Sequence, residues 1–234
     1  MPITTLTVRV DEGTFTAHVA LPSAQSAPGV LLIQEIFGVN ADMRSIAQSY
    51  AKRGYLAVVP DLFWRFAPGI ELDPEIESDR TTALDLYGKF DQDIAVGDLK
   101  STLRALRDLP TCSGKAGCVG FCLGGTLAYL MATRSDSDVN IGYYGVGIER
   151  ALGEVSSITN PLMLHIAEAD AYVPAAAQNA IRKALARHRL ATAHSYPGCE
   201  HAFGRVGSAH YDKHASELAD RRTADFLLKH LGSG

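Results

Sequence analysis

Gly120-Phe121-Cys122-Leu123-Gly124, with Gly125 directly behind it, is the stretch that decides the fold. It closes a run of small and apolar residues, Ala116-Gly117-Cys118-Val119, and opens a helical run, Thr126-Leu127-Ala128-Tyr129-Leu130-Met131-Ala132. A strand that turns sharply into a helix through a glycine-flanked cysteine holds that cysteine at the tip of a strained, positive-φ turn. Glycine two positions to either side removes side chains that would collide where strand and helix converge. The turn lifts the sulfur clear of the sheet. It also aims the helix N-terminus at the group the sulfur attacks, which suits a developing oxyanion. Read by itself, such a cysteine is equally a buried, inert thiol, so its partners elsewhere in the chain decide between the two.

Working outward, four short runs contain almost no polar residue: Gly29-Val30-Leu31-Leu32-Ile33, Leu56-Ala57-Val58-Val59, Ala116-Gly117-Cys118-Val119 and Leu162-Met163-Leu164-His165-Ile166. They read as strands buried on both faces. The third is the weakest, because Gly117 lowers strand propensity and leaves little to pack. Ile141-Gly142-Tyr143-Tyr144 and Thr192-Ala193-His194-Ser195-Tyr196 supply two later strands. Helices are expected over 42–53, about 74–90, 93–107, 123–133, 175–187 and 216–230. Leu6 to Val10 and Phe15 to Leu21 alternate polar and apolar around Asp11-Glu12-Gly13, which reads as a hairpin at a sheet edge. Strand alternating with helix predicts an α/β protein: a mostly parallel, doubly wound sheet with an N-terminal antiparallel hairpin. With the cysteine turn added, that is the α/β-hydrolase fold. Asp61 to Pro74, with Phe63, Trp64, Phe66 and two prolines, is a longer loop expected above the strand ends, where such sheets bind ligands.

The 234 residues fit a single domain over 1–234, with a frayed tail at Gly232-Ser233-Gly234. Hydrophobic residues at 47% and charged residues at 21% describe an ordinary globule with enough apolar side chain for a two-sided core. A net charge of −4 points to neither nucleic acid nor an anionic membrane surface as partner. No apolar run reaches membrane-spanning length, and Met1-Pro2-Ile3-Thr4-Thr5 has no signal-peptide character. A monomer in the cytoplasm is the expectation. Four cysteines are too few for a disulfide framework, and Cys199 near His201 has no second pair at zinc spacing, so no metal is expected.

A cysteine nucleophile needs a base for its proton, and the base needs an orienting acid. In this fold the chain order is nucleophile, acid, histidine. After Cys122 the first good acid is Asp170, in the loop that follows the strand ending at Ile166; Glu168 competes with it. Read alone, Asp170 is a turn or helix-capping residue. His201 lies in Pro197-Gly198-Cys199-Glu200-His201, the loop that follows the strand ending at Tyr196. His165 and His194 fall inside strands and read as packed residues. Three signals in the right order, each at a strand end, make Cys122, Asp170 and His201 the expected triad. Glu35 ends the first buried strand, in the loop that supplies the second oxyanion amide in this fold. The two donors are therefore assigned to the backbone N–H groups of Ile36 and Leu123. A carboxylate beside a thiol disfavours thiolate, so Glu35 is a candidate for controlling the proton on Cys122.

These features together resemble the dienelactone hydrolase (carboxymethylenebutenolidase) family. The resemblance runs from Gln34-Glu35-Ile36-Phe37-Gly38-Val39-Asn40 through Pro60-Asp61-Leu62 and Gly97-Asp98-Leu99. It continues in Gly120-Phe121-Cys122-Leu123-Gly124-Gly125, Tyr143-Tyr144-Gly145 and Asp170, and ends at His201-Ala202-Phe203. It implies a cofactor-free hydrolase with this triad, and Glu35 as the residue that holds Cys122 at rest. It also implies a small anionic lactone or ester as substrate, its carboxylate clamped by Arg80 and Arg205, with Tyr87 and Tyr144 as pocket lining. The implied reaction opens 4-carboxymethylenebut-2-en-4-olide to maleylacetate through a thioester. Two positions depart from the family pattern. Leu84 stands where a tyrosine is usual, and Ala202 where a serine follows the histidine. A broader carboxylesterase or thioesterase on the same triad is the nearest alternative, and a non-catalytic scaffold that binds a small acid is the other.

Overall fold

The computed structural model describes residues 4–232; the last two residues of the expected tail, Ser233 and Gly234, lie outside them. Eight strands neighbour one another in the order β1-β2-β4-β3-β5-β6-β7-β8, and the chain divides into two compact units. The first unit runs to Cys118 and takes in Leu231; the second spans Val119–His230.

In the first unit β1 (Thr5–Val10) and β2 (Gly13–Ala20) form the antiparallel hairpin, with Val10 opposite Gly13. β2 pairs antiparallel with β4 (Leu56–Pro60), and β4 pairs parallel with β3 (Ala27–Ile33). Every residue of β3 and β4 is buried, as their unbroken apolar character requires of strands covered on both faces. Helices α1 (Ala41–Lys52) and α3 (Gln92–Arg107) pack on them, and α2 (Glu77–Lys89) precedes α3 in the chain. Asn40 caps α1 by accepting from the Met43 N–H at 3.1 Å, and Asp91 caps α3 by accepting from Asp93 and Ile94.

The aromatic loop after β4 is tied down by this unit. Trp64 stacks on Phe15 at 5.4 Å and donates its indole N–H to buried Asp98 of α3 at 3.0 Å. Arg65 pairs with the same carboxylate and lies over the Trp64 ring. Its aromatics serve packing there. In the segment before it, Gly38 sits at φ 76°, and a Cβ at that point would stand 1.9 Å from the Ile70 carbonyl oxygen. Only glycine lets the two loops approach that closely.

β5 (Cys112–Phe121) crosses from the first unit into the second. It begins four residues before the apolar run that marks it in sequence, because its first four residues are not buried and carry no apolar signal. β6 (Asn140–Tyr143), β7 (Leu162–Ala167) and β8 (Ala191–Tyr196) follow in parallel. The helices of the second unit are α4 (Leu123–Arg134), α5 (Ala175–Leu185) and α6 (Lys213–Leu231). α4 is buried from Leu123 to Thr133, which accounts for its lack of a polar face. A 3-10 helix, Ile148–Ser157, has no counterpart in the sequence reading; its three-residue period leaves neither an α-helical stripe nor a strand alternation. α2 starts three residues later than the periodicity suggested, after Pro74 and the Asp73–Asp79 contact have shaped a turn.

The junction of β5 and α4 admits no side chain. A Cβ on Gly120 would lie 1.9 Å from the Gly124 carbonyl oxygen, and one on Gly125 would lie 2.4 Å from that of Tyr143. Gly120→Ala should therefore cost about 1–3 kcal/mol or more of stability, since backbone has to move. Gly97→Ala, in the open on α3, should gain up to about 1 kcal/mol. Urea unfolding midpoints of the two variants check this contrast.

Candidate active site

Cys122 has φ 54° and ψ −115°, a conformation that non-glycine residues rarely hold and that costs of order 1–3 kcal/mol. Three bonds over-determine it. Its N–H donates to the Tyr143 carbonyl at 3.0 Å, and its carbonyl accepts from Gly125 at 2.9 Å and Thr126 at 3.3 Å. As the first residue of α4, Leu123 has no intrahelical carbonyl to receive its N–H, so the helix presents that donor beside the sulfur.

Asp170 and His201 come together because β7 and β8 continue pairing past their ends. The Glu168 N–H donates to the Tyr196 carbonyl at 3.1 Å and the Ala169 N–H to that of Cys199 at 2.8 Å. The two loops are thereby zipped side by side, and His201 Nδ1 meets Asp170 Oδ2 at 2.7 Å. The aspartate side chain is only 1% exposed and the imidazole 14%. Asp170 Oδ1 accepts from the Tyr172 N–H at 2.8 Å. The turn-forming and the histidine-orienting readings of Asp170 thus hold together, one on each oxygen. The competing carboxylate, Glu168, lies 3.8 Å from Arg182.

With Nδ1 committed to Asp170, the other ring nitrogen is left for the Cys122 sulfur. Burial would push the imidazolium down. The negative charge of the sulfur, hydrogen bonds to Asp170 and Cys122, and the aspartate charge outweigh it and lift the pKa from 6.5 to about 10. An imidazole oriented by a carboxylate and set beside a sulfur is the arrangement that can take a proton in nucleophilic attack on an acyl carbon.

Two further residues of this unit share the rare backbone geometry: Tyr144 at φ 38° and Ala202 at φ 62°. The Tyr144 N–H donates to the His165 carbonyl at 2.8 Å, and its buried ring meets His201 at 5.1 Å and Phe203 at 5.7 Å. Arg205 lies in the same loop as His201, its N–H turned back to the Ala202 carbonyl at 2.9 Å.

Glu35, Ile36, Arg80 and Tyr87 belong to the first unit. Glu35 is buried just past β3, and Ile36 follows it, half-buried, in the turn before α1. Arg80 is exposed on α2 and donates to the Pro74 carbonyl at 2.9 Å. Leu84 and Tyr87, one and two turns further on, are exposed and half-buried. A cleft of about 230 Å³ in this unit is lined by Asn40, Asp42, Glu71 and Asp73 among others, with Glu71 paired to Arg44 at 2.6 Å.

Sequence reasoning missed the supports. Gln178 of α5, fully buried, donates its amide to the carbonyls of Val173 at 2.8 Å and of Ala167 and Glu168 at 3.2 Å, fixing both ends of the Asp170 loop. Thr223 of α6 takes Tyr143 OH at 2.6 Å and His165 Nε2 at 3.0 Å, while His165 Nδ1 bonds Tyr196 OH at 2.7 Å. This chain ties together the three strands whose ends carry Tyr144, Asp170 and His201. Its members lie 31 to 80 residues apart in sequence, and no local pattern announces such contacts. A usable signal existed only for Tyr172, an aromatic two residues past the acid in a strand-end loop.

Thr223→Val removes the hydroxyl that serves two buried groups and should cost about 1–3 kcal/mol in urea unfolding. The same titration against pH should show a maximum near neutrality. Burial first, then the positive neighbours His194 and Arg222, hold His165 well below 6.5, and His194 is lowered as well. Folded histidines that resist protonation lose stability as pH falls from about 6.5 toward their folded values. His201, raised to about 10, contributes stability below 6.5 that is lost as pH rises toward 10.

A sequence model of the dienelactone hydrolase family matches residues 15–231. The chain is 42% identical over 217 residues to a carboxymethylenebutenolidase of Pseudomonas putida, covering 93% of this chain and 92% of that protein. It is 40% identical over 215 residues to carboxymethylenebutenolidase 1 of Cupriavidus pinatubonensis, covering 92% of each. Among solved structures, a dienelactone hydrolase-like promiscuous phosphotriesterase from metagenomic libraries superposes with a TM-score of 0.82 at 18% identity, over 97% of this chain and 98% of that one. At that identity the likeness is one of fold.

Proposed function

The chain belongs to the dienelactone hydrolase family, and from that premise we propose that it opens an enol lactone bearing a carboxylate, 4-carboxymethylenebut-2-en-4-olide or a close analogue, to a maleylacetate. The observation that carries the mechanism is the 2.7 Å contact of His201 with Asp170; against burial, which pushes the imidazolium down, the Cys122 sulfur and Asp170 together lift it to about 10.

The Cys122 thiolate adds to the lactone carbonyl, forming the C–S bond, and the oxygen gathers negative charge. The Leu123 amide, at the positive end of α4, is a donor for that charge. Collapse breaks the ring C–O bond. The departing enolate is stabilised by its own conjugation, so it needs little protonation and a soft thiolate suffices. The acyl group stays on sulfur as a thioester while the carboxymethylene arm swings free. Once free, the enolate takes the proton of the His201 imidazolium; the neutral imidazole, held in one tautomer by Asp170, then takes a proton from water, the hydroxyl adds to the thioester, and thiolate leaves. Within this reading the family resemblance assigns Ile36 the second oxyanion amide and Glu35 control of the resting sulfur. It assigns the substrate carboxylate to Arg205 and Arg80, and Tyr87 and Tyr144 to the pocket lining.

A nucleophilic thiol also needs a reducing compartment, which supports a cytoplasmic site of action. Cys199 is no rival nucleophile: burial and nearby Asp212 push its thiol up, and an undissociated thiol is unreactive.

Cys122→Ala should lose several orders of magnitude of lactone turnover with unchanged unfolding, whereas Cys112→Ala and Cys199→Ala should keep it. A well-folded Cys122→Ala that retains a tenth of wild-type turnover would overturn the mechanism. Arg205→Ala should lower kcat/KM for the carboxylated lactone by about 1.5–3 kcal/mol, the worth of a charge-assisted contact, and leave a neutral aryl ester almost unaffected. Equal losses on both substrates, or a wild type that prefers the aryl ester, would favour a broad esterase instead.

A further inference from the structure

Tyr172 is a large aromatic left 63% exposed, yet its ring is not idle: its centroid lies 5.0 Å from that of His201, at 79° between planes. The backbone of the same residue donates to Asp170 Oδ1 at 2.8 Å, while Asp170 Oδ2 holds His201. One residue therefore touches both members of the acid–base pair, the acid through its N–H and the base through its ring. The turn that launches the ring is rigid at both ends. The Val173 N–H returns to the Asp170 carbonyl at 3.2 Å, and Gln178 holds the carbonyls on either side. Tyr144 meets the same imidazole at 5.1 Å and 66°, so two tyrosine rings meet His201, one buried and one exposed. Nothing in core packing calls for a phenol ring at an exposed position. Steep aromatic contacts of this kind favour one ring orientation and keep water from the ring edge.

We propose that Tyr172 is a positioning residue for His201: its ring holds the imidazole in line with Asp170 and shields the Nδ1–H···Asp170 hydrogen bond from solvent exchange. The inference rests on His201 acting as the base of the reaction proposed above, but its readout does not. The titratable groups that face His201 within its unit are Cys122, Asp170, Tyr144 and Tyr172. On its own loop, Glu200 is paired with His210 at 3.0 Å. The ring rather than the hydroxyl makes the contact, so phenylalanine should serve as well as tyrosine.

The test is proton NMR of the resting enzyme, following the strongly deshielded Nδ1 proton of His201, in wild type, Tyr172→Phe, Tyr172→Leu and Tyr172→Ala. Disappearance of the signal in Asp170→Asn assigns it. Wild type and Tyr172→Phe should show the resonance; Tyr172→Leu and Tyr172→Ala should broaden it by exchange with water. In parallel, the two aliphatic variants should lose about 2- to 10-fold in kcat for the lactone, with KM and the urea midpoint little changed and Tyr172→Phe restoring the rate. A resonance that persists unbroadened in Tyr172→Ala would overturn the proposal. So would a loss confined to KM, which would make Tyr172 a substrate contact, or a Tyr172→Phe variant as impaired as Tyr172→Ala. A wild type that shows the resonance but opens no lactone would sink the functional reading and leave the positioning role standing.

Discussion

The rest of the site depends on one strained residue. Cys122 is held at φ 54°, and every neighbouring feature of the second unit serves to keep it there. Gly120 lets β5 close on α4, Gly125 lets α4 close on the end of β6, and the Tyr143 carbonyl takes the Cys122 N–H. Strain of a few kcal/mol at one residue persists only where surrounding contacts leave no relaxed alternative. The return is geometric. The sulfur stands at the tip of the turn, where α4 begins.

A strained nucleophile is useful only with a proton acceptor in register, and here register comes from the sheet. β7 and β8 pair in parallel through Ala167 and Tyr196, and two more backbone bonds extend the ladder into the loops. Asp170, three residues past Ala167, and His201, five past Tyr196, therefore meet on adjacent strand extensions. The polar chain Tyr143–Thr223–His165–Tyr196 locks α6 against the strands below them. Buried and fully bonded, such a chain rigidifies; half-bonded, it would be a liability. Burial pushes His165 of β7 well below the ordinary imidazole range, while the sulfur and carboxylate beside His201, just past neighbouring β8, lift it to about 10 against burial. One side-chain type is thus shifted in opposite directions within one unit by its surroundings.

The departures at Leu84 and Ala202 now have a physical reading. Ala202 sits at φ 62°, buried, at the turn that follows the base, so a hydroxyl is absent from a position where the backbone is already committed. Leu84 is exposed on α2, and with Ile76 it makes that stretch more apolar than a solvated helix face needs to be.

Much of this was legible in the sequence, and for a definite reason. The glycine-flanked cysteine, the buried strand runs, the edge hairpin and the order Cys122, Asp170, His201 are local signals, set by backbone sterics, burial of apolar runs and the loops that follow strands. The sequence by itself determined the architecture and put Cys122, Asp170 and His201 at the ends of three strands. It could not determine which oxygen of Asp170 meets the histidine, whether Glu168 or Asp170 does so, or that the first half of β5, unburied, is a strand at all. Nor could it show that Gln178, Thr223 and Tyr172 hold the acid and base in place. Those facts arise from contacts between residues tens of positions apart, which have no period along the chain. They exist only once packing has chosen one partner among many of the same chemistry, and that choice belongs to the tertiary structure.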